Sequence, residues 1–261
     1  MKLKFQNATS ELELTVAGFV PNYRHPPLSF RVKPFDRYGQ PGSETIGDRQ
    51  LDGRTIRMTV EFAATSDEIY FTKSNELISI LNPDNAPIYL VDTDNARRCL
   101  IETAKITPNT KAEGVLMRAE VWELELIMKE AVWEDIDETV ETATLANGET
   151  MTVTNPGIFR APPIIVINPV GTLPDFSLIN NTTDDLIRFA SGALQAGVEL
   201  TLDSIEGTII VDDGISQQSG TPSLADGSGF LFLAPGDNEL QYESSYGSVE
   251  IDVKFRRRWP L

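Results

Sequence analysis

The side chains best suited to nucleophilic chemistry occur once each in this chain, as His25 and Cys99. A cysteine thiolate paired with an imidazole is a common enzymatic nucleophile. His25, however, lies in a proline-containing segment at residues 23–27, and Cys99 lies in an alternating strand pattern at residues 98–102. Neither context is one that exposes or activates the side chain. We therefore interpret Cys99 as a buried thiol and His25 as a loop residue, and we predict no catalytic pair.

Three aspartate pairs raise the question of a calcium site or a glycosidase pair: Asp92 with Asp94, Asp184 with Asp185, and Asp212 with Asp213. Calcium needs about six to eight oxygen ligands, and none of the pairs has the spacing of an EF-hand loop. Sugar hydrolysis needs two carboxylates that face each other across a cleft, which one sequence does not define. We interpret the pairs as turns. Nucleophile elbows, phosphate-binding loops and dinucleotide fingerprints are also missing, so we predict no enzyme, no cofactor and no metal site.

Acidic residues outnumber basic ones by 39 to 22 over the 261 residues, which gives a formal net charge of −17. Nucleic-acid binding depends on clustered lysine and arginine, so this balance argues against a surface that grips DNA. The one basic run, at residues 256–258, is predicted to be a solvated strand end or to form salt bridges between subunits. An acidic wall is still suited to a channel through which DNA slides, because like charges repel.

The chain contains no segment of the roughly 20 apolar residues that cross a bilayer, so we expect no membrane insertion. Its first residues lack the apolar core of a secretory signal, and a single cysteine cannot form an internal disulfide. We therefore expect synthesis and assembly in a reducing cytoplasm.

Alternating apolar residues predict strands through the first half of the chain, most strongly at residues 54–62 and again at residues 115–128. A single helix is predicted from Thr72 to about Leu81, with Thr72 or Ser74 as its N-cap. Antiparallel strands with one short helix indicate an αβ sandwich for this half.

The second half of the chain contains short strands separated by glycine and proline turns, which is typical of a β-sandwich. Predicted strands include residues 230–233 and the closing strand at residues 248–255. We place a domain boundary near residue 145, so the predicted domains are residues 1–145 and 146–261. The predicted fold class is mainly β with minor α.

Several segments share their order and spacing with one protein family: Gly53 to Ile56, Asn75-Glu76-Leu77, Ala161-Pro162-Pro163-Ile164-Ile165, and residues 176–183, 197–203, 207–212 and 233–240. In these segments the chain resembles the distal tail proteins (Dit) of long-tailed bacteriophages. The resemblance implies an N-terminal antiparallel, split-barrel-like β-sandwich domain with one short helix, followed by a galectin-like β-sandwich domain.

The same resemblance implies a non-enzymatic structural protein of the virion tail tip, assembled in the host bacterial cytoplasm. Six copies would form a ring that serves as a baseplate hub. The ring would join the tail tube protein to the tail-associated lysin and, in many phages, to receptor-binding proteins. DNA would pass through the ring without being specifically bound.

A closed ring needs a head-to-tail interface on every subunit. The glycine- and proline-rich stretch at residues 36–53 is long enough to reach a neighbouring subunit. Aromatic and arginine side chains often anchor interfaces, and this stretch and its flank contain four of them: Phe35, Arg37, Tyr38 and Arg49. We hypothesise that they form an interlocking arm; the alternative is an ordinary surface loop.

A carbohydrate-binding module involved in host-surface attachment is the alternative function, because β-sandwiches of the galectin kind often bind sugars. Sugar sites usually present exposed aromatic rings beside polar groups. In the second half of the chain, the aromatic residues to consider are Trp259, at the end of the chain, and Tyr242 and Tyr246, which flank a turn.

Overall fold

The structure is a computed structural model that describes residues 2–15, 18–23, 30–31, 34–36, 43–45, 50–51, 54–113, 118–128, 130, 132–189 and 194–260. It is mostly β-strand, as predicted. The chain divides into two compact units, which are described separately below. Unit 1 comprises Met1–Glu134 with Pro260–Leu261, and unit 2 comprises Asp135–Trp259.

The strands of the first part of the chain are, in order, β1 (Leu3–Gln6), β2 (Glu11–Glu13), β3 (Val20–Tyr23), β4 (Phe30–Arg31), β5 (Pro34–Asp36), β6 (Ser43–Thr45), β7 (Gln50–Leu51), β8 (Arg54–Ala64), β9 (Ile88–Asp92), β10 (Arg97–Ile101), β11 (Thr103–Glu113), β12 (Arg118–Met128) and β13 (Val132–Asp135). One sheet of unit 1 contains β2, β1, β9, β10 and β13 in that order, and a second contains β11, β12, β8 and β3. Two short pairs, β4 with β7 and β5 with β6, complete the described strands of the unit.

Strand β8 shows why this half folds as predicted. Its burial alternates along the strand, with Ile56, Met58, Val60 and Phe62 buried. It pairs antiparallel with β12 along the whole of both strands. Such alternation places one face against a core and the other toward solvent. Strand β11 was not predicted because Pro108 interrupts its pattern; β11 is an edge strand, where a proline is tolerated.

The helix α1 (Asp67–Ile80) begins five residues before its predicted start at Thr72, so both predicted N-caps are wrong. The N-cap is Ser66, whose hydroxyl accepts a hydrogen bond of 3.2 Å from the backbone N–H of Ile69. Asp67 follows it in the first turn, where a negative charge favours the helix dipole. A serine followed by acidic residues is therefore the start signal that the prediction missed.

Aromatic side chains form the centre of unit 1. Phe62 lies 5.3 Å from Phe19 and 5.7 Å from Trp122, ring centroid to ring centroid, with both pairs in edge-on geometry. Tyr70 of α1 stacks on the same ring at 6.3 Å. The cluster therefore joins the helix to the β8–β12 sheet.

The strands of the second part are β14 (Thr139–Ala146), β15 (Thr150–Asn155), β16 (Ile164–Pro169), β17 (Phe176–Asn180), β18 (Asp185–Phe189), β19 (Glu199–Asp203), β20 (Thr208–Asp212), β21 (Gln217–Ser219), β22 (Gly236–Glu243), β23 (Ser248–Phe255) and β24 (Arg258–Pro260). Two sheets build unit 2, in the orders β14-β23-β16-β19-β20-β21 and β15-β22-β17-β18. Apolar residues from both sheets share one buried core. The unit is therefore a β-sandwich of two antiparallel sheets, as predicted.

The division between the units falls at Glu134–Asp135, whereas the predicted boundary lies near residue 145. Residue 145 lies inside β14, which pairs with β23 along its full length. Because this pairing makes β14 part of a sheet of unit 2, the chain enters that unit before the predicted boundary. The roles assigned to the two predicted domains stay predictions.

The strand predicted at residues 230–233 is wrong, apart from an isolated bridge between Leu233 and Ala161. Side chains, rather than a neighbouring strand, take up much of this backbone's hydrogen-bonding capacity. Asn180 Nδ2 donates to Phe232 O at 2.8 Å, and Asn155 Nδ2 donates to Leu233 O at 3.1 Å. These buried amides replace a strand ladder, since a buried backbone group needs some partner.

Candidate functional site

The Cys99 thiol is buried in β10, as predicted, opposite Leu90 of β9. Burial raises the pKa of this thiol far above its ordinary value, because an apolar environment disfavours the thiolate. The group is therefore protonated and unreactive at neutral pH. His25 lies outside the described residues.

The first two aspartate pairs lie at turns, as predicted: Asp94 and Asp184 are turn residues, and Asp92 and Asp185 are the strand ends beside them. Asp92 accepts hydrogen bonds from the backbone N–H of Asp94 at 3.1 Å and from the Asn95 amide at 2.6 Å. Asp184 has a φ of 60°, and the Asp185 carboxylate accepts from the N–H of Phe232 at 3.0 Å. Asp92 therefore stabilises its own turn, whereas Asp185 binds a segment that is distant in sequence.

The third pair closes the turn between β20 and β21. Asp212 accepts from the side chain of Gln217 at 2.9 Å, and this bond is the main reason its pKa is lowered. Asp213 accepts from the N–H groups of Ser216 and Ile215 at 2.7 and 2.9 Å, which lower its pKa in the same way. Within the described residues, no group of three or more acidic, histidine or cysteine side chains is arranged to hold a metal ion.

The four predicted interface residues are mostly beyond the described part of the chain. Phe35 lies in β5, where it pairs with Glu44 of β6. Arg37, Tyr38 and Arg49 lie outside the described residues. The interlocking arm therefore stays a hypothesis.

The basic run at residues 256–258 binds the beginning of its own unit. Arg257 forms a salt bridge with Asp135, and Arg256 donates hydrogen bonds to the backbone oxygens of Asp135 and Ile136. Trp259 Nε1 donates to the Asp135 carboxylate at 2.8 Å. Arg257 thus has a salt bridge within its own chain, and the predicted alternatives, a solvated strand end or salt bridges between subunits, stay predictions.

Helix α1 has an exposed apolar face. Phe71 is 60% exposed and Ile78 is 50% exposed, although both are large apolar residues. They are seven residues apart, or about two helical turns, so they lie on the same side of the helix. A large apolar pair left in solvent often marks a contact surface.

The solvent side of the β8–β12 sheet is charged. Glu125 lies between Arg57 and Lys105 across three strands, with contacts of 3.1 Å to Arg57 Nε and 3.8 Å to Lys105 Nζ. Glu61 and Glu123 are exposed on the same face. Its positive charges are balanced by carboxylates, so this face does not resemble a phosphate-binding surface.

Unit 2 contains a polar groove of about 520 Å³. Its floor is a row of three residues that face outward from adjacent strands: Arg188 of β18, Ser177 of β17 and Glu243 of β22. Asn147, Asp175 and Ser244 form part of its walls. The small serine between two long charged side chains gives the groove its depth.

Ser244 connects the walls of this groove. Its hydroxyl donates to the backbone oxygen of Asp175 at 2.7 Å, and its N–H donates to the Asn147 side chain at 3.0 Å. The same hydroxyl accepts from the N–H of Tyr246 at 3.1 Å. Two separate segments, at Asn147 and Asp175, are therefore bound to one buried serine, which also fixes its own loop at Tyr246.

Two protein-family models match the chain, and their order along it follows the two units. A phage tail protein RIFT-related domain matches residues 9–126, and the C-terminal domain of a siphovirus-type tail component matches residues 156–259. Together they cover most of the sequence. The chain belongs to the siphophage distal tail protein family. It is therefore a structural component of the phage tail.

Solved structures share the fold of this distal tail protein. The Dit protein (gp19.1) of phage SPP1 has a TM-score of 0.69 and 12% identity over 99% of both chains. Chains of the phage p2 baseplate in its activated conformation have TM-scores of 0.52, at 11% identity with calcium and 12% with strontium. These alignments cover 98% of this chain and 98% and 97% of the p2 chains. No curated protein sequence matches.

Sequence reasoning missed the apolar face of α1 and the polar groove. The spacing of Phe71 and Ile78 is visible in the sequence, but the helix was predicted to begin after Phe71. The groove depends on the register of three strands, and β18 was not predicted.

The described residues contain no helix long and apolar enough to cross a membrane.

Proposed function

We propose that this distal tail protein assembles into a hexameric ring that forms the hub of the tail tip, without catalytic activity. The observation that carries the proposal is the likeness over almost the whole chain to SPP1 Dit, which is described as a paradigm of the hub of the adsorption apparatus in phages that infect Gram-positive bacteria. The p2 relatives are likewise parts of a baseplate. The two family matches, in the same order, support the same role.

In this role one side of the ring docks on the tail tube protein, and the other holds the tail-associated lysin or receptor-binding proteins. The central opening passes DNA during ejection. The net charge of −17 supports passage without binding, since an acidic protein repels the phosphate backbone. The ring is assembled in the host cytoplasm and functions in the virion.

The apolar face of α1 supports contact between copies of this chain. A ring buries the same two complementary surfaces on every subunit, and apolar side chains are enriched at the centre of homo-oligomer interfaces. Phe71 and Ile78 supply such a surface on unit 1. We propose that they pack against a neighbouring subunit, alongside the arm at residues 36–53.

The mass in solution tests the ring. Light scattering on a size-exclusion column, at several concentrations, should detect a species of about 170 kDa, six copies of the 28.9 kDa chain. Cyclic symmetry of that species should be visible by electron microscopy. A chain that stays monomeric, even with the tail tube protein added, would contradict the hub proposal.

The interface is tested by the double substitution Phe71→Ser and Ile78→Ser. We expect the ring to dissociate toward monomers with little change in thermal stability, because both side chains are exposed in the single chain. The matched control is Ile215→Ser in unit 2, which removes an apolar side chain that is 95% exposed and should leave the ring intact. An intact ring in the double variant would assign the interface elsewhere.

The arm is tested separately by deleting residues 39–48. A weakened ring is expected if Phe35, Arg37, Tyr38 and Arg49 reach a neighbour, as predicted. An unchanged ring would reduce this stretch to a surface loop.

A further inference from the structure

We propose that the polar groove of unit 2 binds a neutral saccharide. This site goes beyond the hub role, which needs no small ligand. Its volume of about 520 Å³ lies within the range of about 300–1,000 Å³ that is usual for small-molecule sites.

The floor of the groove combines donors and acceptors. Arg188 offers guanidinium N–H groups, and Glu243 offers carboxylate oxygens on the opposite side of Ser177. Adjacent strands are about 4.8 Å apart, so the two charged residues are anchored about 10 Å apart across the floor. Both side chains line the groove.

Asp175 adds a second carboxylate, and Asn147 adds an amide that donates and accepts. A sugar hydroxyl is also both a donor and an acceptor, so it satisfies groups of either kind. An anionic ligand fits poorly, because two carboxylates oppose one guanidinium. A metal ion fits poorly as well, because Arg188 lies beside the carboxylates and calcium prefers six or more oxygens.

An aromatic residue that can stack on a sugar ring lies next to the groove wall in the sequence. Tyr246 is 56% exposed and follows the wall residues Ser244 and Ser245. Its backbone is held by the Ser244 hydroxyl and by the buried Tyr242, whose phenol lies 3.5 Å from Tyr246 O. The backbone of Tyr246 is therefore fixed where it leaves the groove wall.

An array of neutral oligosaccharides, probed with the purified full chain, identifies the ligand, and titration calorimetry with the strongest binder measures its affinity. We expect Arg188→Ala and Glu243→Gln each to weaken binding at least tenfold, and Tyr246→Ala to weaken it severalfold. Glu250→Gln is the matched control, since Glu250 is exposed on the other sheet of the same unit. It should bind like the unchanged chain.

Three results would overturn the site: no binding of any neutral glycan at millimolar concentration, equal binding by the groove variants, or stronger binding of anionic polymers that salt abolishes. Thermal melting of each variant shows that a loss of binding does not reflect unfolding. Light scattering on Arg188→Ala separates the two proposals, because the ring should form whether or not the groove binds sugar.

Discussion

The two units of this distal tail protein are stabilised in different ways. Unit 1 relies on aromatic packing, in which Phe62 contacts rings from a loop, a strand and α1. Unit 2 adds three asparagines with no exposed surface, Asn155, Asn180 and Asn238, to its apolar core. The side chain of Asn238 by itself forms hydrogen bonds of 2.8 to 3.1 Å with Ala234 N, Ala234 O and Gly236 O.

The two units therefore differ in the kind of backbone that their cores stabilise. In unit 1, aromatic packing joins regular elements, since Phe62 lies in β8, Trp122 in β12 and Tyr70 in α1. Buried amides fix irregular segments, because a side-chain amide replaces the hydrogen bonds that a strand partner would supply. In unit 2 these amides hold the irregular backbone at residues 232–234, whereas the floor of the groove is built from paired strands.

The largest effect is expected for Trp122→Ala in unit 1. Removing this buried ring should cost about 3–5 kcal/mol of unfolding free energy, from lost burial and the cavity left behind. Hydrogen exchange with mass spectrometry, measured against urea, should show the loss in unit 1 peptides. Trp122→Phe should cost less, since Trp122 Nε1 has no partner among the described residues. Equal losses of unfolding free energy in Trp122→Ala and Trp122→Phe would show that packing of the ring is not the source of the stability.

Asn238→Ala is expected to destabilise unit 2 by about 3 kcal/mol, because several buried backbone groups lose their partner at once. Asn181→Ala is the control; Asn181 is exposed and bonds only to the Gln241 side chain through its amide nitrogen. The control should change stability by less than about 0.5 kcal/mol. The same hydrogen-exchange experiment shows which of the two units loses stability. If Asn238→Ala lowered the stability less than Asn181→Ala does, buried amides would not stabilise unit 2, and the contrast between the two units would be lost.

Ser66→Ala should cost about 1 kcal/mol, since it removes the hydroxyl that caps α1. Thr65→Ala, one residue earlier and exposed, is the matched control. Faster amide exchange confined to the first turn of α1 is the expected sign. No difference between the two variants would mean that the aromatic cluster alone fixes the helix start.

The smallest effect concerns pH. The folded pKa of Asp213 is lower than that of an unfolded aspartate, so its turn bonds are fully present above about pH 4. They are lost as the pH falls through the lowered value. Amide chemical shifts of Ile215 and Ser216 should report this transition by NMR. Asp213→Asn should abolish it, and a persisting transition would assign it to another group.

The sequence predicts the strands whose pattern is local. In β8 and β23 every second residue is buried, and this alternation can be counted without a structure. Residues 230–233 have the same apolar character but are held by Asn155 and Asn180, which are distant in sequence. No local pattern contains that information.

The candidate surfaces divide in the same way. The spacing of Phe71 and Ile78 is a local signal. It would have indicated an apolar helix face if the helix had been predicted to begin after the N-cap Ser66. The row of Arg188, Ser177 and Glu243 exists only because three strands pair in one register. The pairing of β17 with β22 joins residues that are far apart in the sequence, so no local pattern shows this row.

The contact between Asp135 and Trp259 has an evolutionary consequence. These residues open and close unit 2, and a hydrogen bond of 2.8 Å joins them. A module whose entry and exit touch can be exchanged for another without stretching the chain on either side. Recombination between phage genomes would therefore be tolerated at this junction. Unit 2 is the part of the protein that such recombination could replace.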